Sequence, residues 1–459
     1  MTKDVTRDAV MLLPGIMGSE LVDTTTGKRL WGLADLGWYV SAWTTGCSME
    51  ALALTDDERA GRTGRVAATG LLKFPAFSPI LRGVEPYTEL LRGLRRVVPH
   101  PDAIAEFPYD WRLSIEHNAQ ELARRADVHL RRWRAHSEGS ADAKLVLVAH
   151  SMGGLVARYF TTVLGGSSEV RATITLGTPF YGAVKAAMIL NSGRGGPVPL
   201  PSRRLRTLAA TLPGLHDLLP SYRCVDEGTS VRRLTPTDVD CLGGDIDLAR
   251  QSFARRELLL SSGEQGLRAL VGVEQPTAQS MLLRNGVVEP KYYAVETDTD
   301  GKLSRVDRMG DSTVYRDAAA PRGLDPSVLP QCHGSIAKTA EAVTFVRAKL
   351  TDKPLGPPLA GPAAFGIEVP DVVAAGEAFD VRVLNTDDPT RISCVVEEAR
   401  RHTQVARLQL KRGDRTLTAS VILRAPGVYR VKVKRGGNSP VSELVMAGPP
   451  DMSGEKATD

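Results

Sequence analysis

Along its first 350 positions the chain switches repeatedly between two hydrophobic rhythms. Residues 8–13 and 145–148 are short, continuous apolar runs, as expected of strands buried on both faces of a parallel sheet. Residues 103–107 and 172–176 read as further strands. Ala119, Leu122, Ala126, Leu130 and Trp133 instead recur at spacings of three and four, with arginines on the other side, and predict an amphipathic helix. Residues 87–97, 246–260 and 339–349 also read as helices, and residues 292–295 as a returning strand. Strands and helices in alternation predict a doubly wound α/β domain over residues 1–350.

Two stretches interrupt that rhythm. Residues 28–70 contain Trp31, Trp38 and Trp43, three of the five tryptophans, among glycines. They are expected to form either a lid whose aromatic rings meet lipid or a cap with its own core. Within this stretch, residues 56–69 read as an exposed connection. Residues 185–278 show no settled period and are expected to be a cap insertion over a site. At residues 351–362 (TDKPLGPPLAGP) prolines predict a stiff linker. Beyond it the period becomes two, in runs at 379–384, 405–410, 416–423 and 428–433. This predicts a small immunoglobulin-like β-sandwich over residues 363–448, suited to binding a protein partner or to support. Residues 449–459 read as a disordered tail.

Composition narrows the function classes. A net charge of +5 over 459 residues gives no case for nucleic acid, and the arginine pairs are scattered. A peripheral contact with anionic membrane is compatible with that balance. The first fifteen residues hold neither a signal peptide nor a transmembrane run, so a cytoplasmic protein, peripheral at membranes, is expected. The five cysteines are far apart and no Cys/His spacing suggests a metal. A reduced chain is expected, with a Cys224–Cys241 bridge as the alternative.

The chemistry centres on residues 144–159, KLVLVAHSMGGLVARY. A buried strand, a small-X-Ser-X-Gly turn and a helix follow one another, which is the context of an α/β-hydrolase nucleophile elbow with Ser151 at its tip. Ala149 stands where that motif has its first glycine. Residues 14–19 (PGIMGS) follow the first strand, and the backbone N–H of Ile16 is the candidate oxyanion donor from that loop. A serine hydroxyl needs a base, and the base needs an orienting acid. In the chain order of this fold His333 is the candidate base. Asp298, Asp300, Asp307 and Asp311 all precede it; Asp311, in a glycine turn, is favoured and Asp307 is the reserve. His150, beside the nucleophile, is expected to point away from it.

The ordered set LLPGIMGSEL, PYDWR, VAHSMGGLVARY, TLGTPFYGA, HDLLP, MGDSTV and CHGS resembles the lecithin:cholesterol acyltransferase and group XV phospholipase family. The resemblance covers about residues 8–350. It implies a lipid acyl hydrolase or acyltransferase with Ser151, Asp311 and His333 as its triad. Ile16 and Met152 would be its backbone oxyanion donors, a lipid or phospholipid its substrate, and no cofactor or metal would be needed. It also places the lid at Trp31, Trp38 and Trp43 and gives Tyr109 to Arg112 an architectural role. Ser312 stands where the family usually has glycine, and Cys47 lacks the lid partner of secreted members. Two other readings are an esterase or peptidase for soluble substrates and an inert adaptor.

Overall fold

The computed structural model describes residues 5–32, 38, 41–42, 45–72, 87–195, 200–260, 266–299, 301–354, 365–399, 403–436 and 439–448. Trp43, most of the proline-rich linker and residues 449–459 lie outside these.

Six strands form the central sheet in the order Ser327–Pro330, Leu267–Val273, Val170–Leu176, Leu145–His150, Ala9–Leu13 and Ile104–Glu106. Every neighbouring pair is parallel. Ala9–Leu13 and Leu145–His150 are buried at every position, which is why both read as unbroken apolar runs. The helix Ile115–Arg134 buries Ala119, Leu122, Ala126, Leu130 and Trp133, and Ser114 caps it by accepting the His117 N–H at 3.2 Å. Parallel strands place all their carboxyl ends on one side, and the loops that leave them there hold the candidate residues.

Three expectations are corrected. The stretch expected to be cap, residues 185–278, contains the core strand Leu267–Val273. Its seven residues are apolar at almost every position and carry one arginine, so period alone could not separate them from cap. Residues 292–295 do not return to the central sheet; Ala294–Thr297 pairs only with Leu303–Val306 in a hairpin. Residues 56–69 are largely exposed, as expected, but are not a bare connection: they hold the helix Asp56–Arg59, closed by a Thr55/Glu58 capping box, and most of the strand Val66–Leu71.

That last segment is fixed to the core through charge. Arg112, fully buried, donates to Glu58 Oε1 at 2.7 Å and to Asp110 Oδ2 at 2.6 Å, and also to the Leu52 carbonyl at 3.3 Å. Arg65 holds the other Glu58 oxygen at 2.9 Å. Burial pushes the Glu58 carboxyl up, but bonds from Thr55, Arg65 and Arg112 outweigh it and hold it below its ordinary range.

Beyond residue 365 a four-stranded and a five-stranded sheet enclose a separate apolar core that includes Val381, Val396, Val431 and Val445. The strands Ala378–Leu384 and Thr416–Ile422 alternate buried and less buried positions, the period-two signal of the sequence.

Arg112→Leu leaves two carboxylates facing a lost cation and is expected to cost about 3–5 kcal/mol of stability. Urea unfolding measures this. A loss below about 1 kcal/mol would mean that the cluster does not hold the segment.

Candidate active site

The turn at Ser151 is built from steric constraint. Ser151 follows the strand Leu145–His150 at φ 52°, ψ −127°, and the helix Met152–Arg158 begins at once. A non-glycine residue adopts such a backbone only when its surroundings over-determine it. Two glycines make room: a Cβ on Gly153 would lie 2.4 Å from the Pro14 carbonyl oxygen, and one on Gly154 2.0 Å from Thr178 Oγ1. Thr178 Oγ1 in turn donates to the Ser151 carbonyl at 3.0 Å.

The three candidates far apart in sequence meet here. Ser151 Oγ lies 2.8 Å from His333 Nε2, and His333 Nδ1 lies 2.7 Å from Asp311 Oδ2. Asp311 is fully buried, and its Oδ1 accepts the N–H groups of Thr313 at 3.1 Å and Val314 at 2.7 Å. Both carboxylate oxygens are therefore occupied in a fixed geometry. Asp307, the reserve acid, is elsewhere and accepts from Gln279 Nε2 at 2.6 Å and the Met309 N–H at 2.7 Å. Ser312 adopts φ 74°, left-handed backbone that explains why glycine suits this position.

Aromatic side chains pin the loop after the first strand by their polar tips. Tyr109 Oη donates to the Pro14 carbonyl at 2.9 Å, Tyr87 Oη accepts the Gly15 N–H at 2.8 Å, and Trp31 Nε1 donates to the Met17 carbonyl at 2.8 Å. Between these anchors, Ile16 and Met17 reach the cavity that also exposes Ser151 and His333. Neither the Ile16 N–H nor the Met152 N–H donates to another protein group among the described residues. Of the tryptophans, Trp31 and Trp38 are buried against each other and Trp31 against Trp111, in edge-to-face contacts at 5.0 and 5.8 Å. Trp31 and Trp38 belong to the main apolar core and do not line the cavity; Trp111 does.

His150 points away from the Ser151 hydroxyl and is not idle. The Tyr87 hydroxyl donates to its Nδ1 at 3.0 Å, and its Nε2–H donates to the His333 carbonyl at 3.2 Å. One neutral imidazole thus joins the pinned loop to the backbone of the candidate base. Burial, with His333 beside it, pulls His150 down to about 3.

The cavity at the triad is about 100 Å³ and almost wholly apolar, walled by Leu205, Leu208, Leu212, Leu215 and Leu218 of the cap and by Val314. A larger cavity of about 780 Å³, lined by Tyr222, Arg223, Arg233 and Tyr315 among others, contains none of the triad residues. Among the described residues one group has metal-ligand chemistry, His100, Asp102 and His136. It flanks the start of Ile104–Glu106, at the opposite end of the sheet from Ser151. Both rings use Nδ1 to accept a backbone N–H, from Asp102 at 3.2 Å and Glu138 at 3.0 Å, so the neutral ring's proton sits on Nε2. Arg132 also lies 3.6 Å from Asp102. All five cysteines are free thiols, and no helix among the described residues is long and apolar enough to cross a membrane.

Fold and site define an α/β-hydrolase with a serine, histidine and aspartate in line. Within that class, residues 65–238 match the lecithin:cholesterol acyltransferase family, a segment that carries the Tyr109–Arg112 motif and the Ser151 elbow and ends before Asp311 and His333. An uncharacterized protein of Saccharomyces cerevisiae is 27% identical over 173 residues, 37% of this chain and 23% of that protein. The match thus spans under a quarter of the yeast protein's length. Among solved structures, the Tle4–Tli4 complex is 15% identical over 75% of this chain and 97% of that chain, with a TM-score of 0.47. Phospholipase PlaB from Legionella pneumophila is 11% identical over 95% of this chain and 90% of its own, with a TM-score of 0.32. A Bacillus licheniformis lipase, BlEst2 in mature form, is 13% identical over 75% and 91%, also at 0.32.

Because His150 is neutral in the folded protein where the unfolded chain already binds a proton, stability is expected to fall with pH from about 6.5 downwards. His216, pulled down mainly by burial, acts in the same direction. Thermal melts between pH 7 and 5 measure the slope. His150→Asn is expected to flatten it; an unchanged slope would remove His150 as a cause.

Proposed function

We propose that the protein is a serine-dependent lipid acyl hydrolase or acyltransferase that works through an acyl-enzyme. One observation carries the reading: the unbroken line Ser151 Oγ, His333, Asp311 opens on an apolar cavity directly beneath the pinned loop. The family match over residues 65–238 supports lipid esters as the substrate class.

In this mechanism His333 Nε2 takes the hydroxyl proton as Ser151 Oγ bonds to the ester carbonyl carbon. Asp311, already hydrogen-bonded to Nδ1, orients the ring and stabilises the imidazolium that forms. The carbonyl oxygen becomes an oxyanion, which on this reading the Ile16 and Met152 N–H groups receive. Each such donor is worth roughly 3–4 kcal/mol. The tetrahedral intermediate collapses, the ester C–O bond breaks, and His333 returns its proton to the leaving alcohol. Water or a second alcohol, deprotonated by His333, then clears the acyl group from Ser151. Hydrolysis and transfer differ only in that last nucleophile.

Ser151→Ala is expected to lower kcat by on the order of a millionfold if the triad acts as a unit. Labelling of the parent by a serine-directed fluorophosphonate at Ser151 checks the same point, and parental turnover in the folded variant would refute it. Product analysis by mass spectrometry, with and without added alcohol, separates hydrolysis from transfer.

A second reading, hydrolysis of soluble short-chain esters, draws on the volume of the cavity. At about 100 Å³ it is smaller than the roughly 150 Å³ that admits a benzene ring in an engineered protein core. A long acyl chain therefore requires the cap to move. For a lipid enzyme, the rate on a long-chain ester should jump when that ester passes from monomer to aggregate. A smooth rise through that transition, with a short-chain ester the better substrate, favours the second reading.

A further inference from the structure

The strand that leads to His333 is one of the two short edge strands of the central sheet. Ser327–Pro330 has four residues, lies at the sheet edge and pairs on one side only, with Leu267–Val273. Edge strands have half the backbone partners of central ones and open more easily. A base held to within a few tenths of an ångström needs more than this.

The C-terminal sandwich touches the His333 loop on both sides of the histidine. Before it, Gln331 Nε2 donates to the Pro440 carbonyl at 3.1 Å while its Oε1 accepts the Cys332 N–H at 2.9 Å. Cys332 itself is buried within the apolar core of the sandwich. After it, Ser335 Oγ lies 3.0 Å from Ser442 Oγ and 3.3 Å from the Ser442 carbonyl. The Asp311 side is held as well, through Gln275. The Gln275 main chain exchanges hydrogen bonds with Gly310, at 2.9 and 3.1 Å. Its amide donates to the Phe365 carbonyl at 3.2 Å and accepts the Ile367 N–H at 3.0 Å, both from the start of the sandwich. Cys332 Sγ lies 3.6 Å from the same amide oxygen. Gln275 is fully buried, so each unmade bond would leave a polar group dry. Nearby, burial and the sandwich residues Arg430 and Lys432 pull Lys338 down to about 7.

We propose that the C-terminal sandwich is a positioning element of the active site, clamping the loops of His333 and Asp311 through Gln275, Gln331, Cys332 and Ser335. This rests on the triad reading above. On this account Gln275 and Ser335 are positioning residues that touch no substrate. The domain sets the rate of acyl transfer, and a ligand that shifted the sandwich would alter turnover without reaching the cavity.

Full-length Gln275→Met and Ser335→Ala test this against Leu122→Ala, a core variant with a comparable loss of melting temperature. With a monomeric short-chain ester, Gln275→Met is expected to lose about 10- to 100-fold in kcat with KM within about twofold. Fluorophosphonate labelling should slow in the same ratio, and the acidic limb of the pH profile of kcat/KM should move. Ser335→Ala should lose less in the same pattern, while Leu122→Ala keeps the parental kcat and pH profile. Should Gln275→Met not fold, Ser335→Ala and Ser442→Ala decide the matter by the same readouts. Parental kcat and labelling rates in the folded clamp variants overturn the proposal. If the parent is not labelled at Ser151 at all, the triad reading falls first; if it is labelled and the variants match it, only the clamp falls.

Discussion

The structure turns on the backbone of one residue. Ser151 is held at a positive φ that costs a non-glycine residue on the order of 1–3 kcal/mol, and the strain is distributed among its neighbours. The strand behind it is fully buried and paired on both sides, so it cannot relax. Ahead of it Gly153 and Gly154 let the Pro14 carbonyl and Thr178 approach to distances no side chain would permit. The same close approach brings the Pro14 to Met17 loop over the serine. The strain and the loop that would receive the oxyanion are therefore consequences of one packing solution.

That loop has little secondary structure of its own, and its fixity comes from polar tips of buried aromatic residues. Tyr109, Tyr87 and Trp31 each bond a different backbone group, which leaves the Ile16 N–H between anchors. Each ring belongs to a different segment, so the loop is triangulated. Tyr109 and Arg112 belong to one short motif, and its two halves divide the labour. Tyr109 holds the loop, while Arg112 ties the 28–70 segment, which supplies Trp31, to the core. The cluster Arg112, Glu58, Asp110 is worth little as net attraction after desolvation. Its value lies in fixing where Trp31 stands.

Much of this was legible in the sequence because two periodicities and one steric motif are strong local signals. Residues 145–159 could hardly be anything but strand, turn and helix, and His333 followed from chain order. Asp311 was separable from Asp307 only by its glycine turn, and the turn bonds to its Oδ1 show why that mattered. The strand Leu267–Val273 was lost because an apolar run inside an unread insertion carries no label of its layer. The tryptophans of residues 28–70 were ambiguous for a related reason: an aromatic cluster predicts burial or lipid contact equally, and packing decided for burial of Trp31 and Trp38. Gln275 and Tyr87 had no signal at all. Each acts by bonding backbone groups that are distant in sequence, and a glutamine or a tyrosine does not announce such a partner.

The cap shows how such tertiary bonds divide a segment into fixed and adjustable parts. Leu215 and Leu218 of the cavity wall flank Asp217, whose carboxylate accepts the Ile115 N–H at 2.8 Å and Arg255 Nε at 3.0 Å. Arg256, fully enclosed, donates to the Pro179 and Phe180 carbonyls at 3.1 and 2.7 Å and also to the Asp217 carbonyl. Moving that side of the wall would strand buried charges, at a cost of several kcal/mol. Leu205 and Leu208 stand on the amphipathic helix Ser202–Ala209, which packs against the helix Val184–Ser192 and buries no charge. A cavity that must lengthen for a longer acyl chain can therefore widen more readily on the Ser202–Ala209 side, where apolar contacts and the bond from half-exposed Arg204 to the Ala42 carbonyl have to be exchanged and no buried charge is stranded.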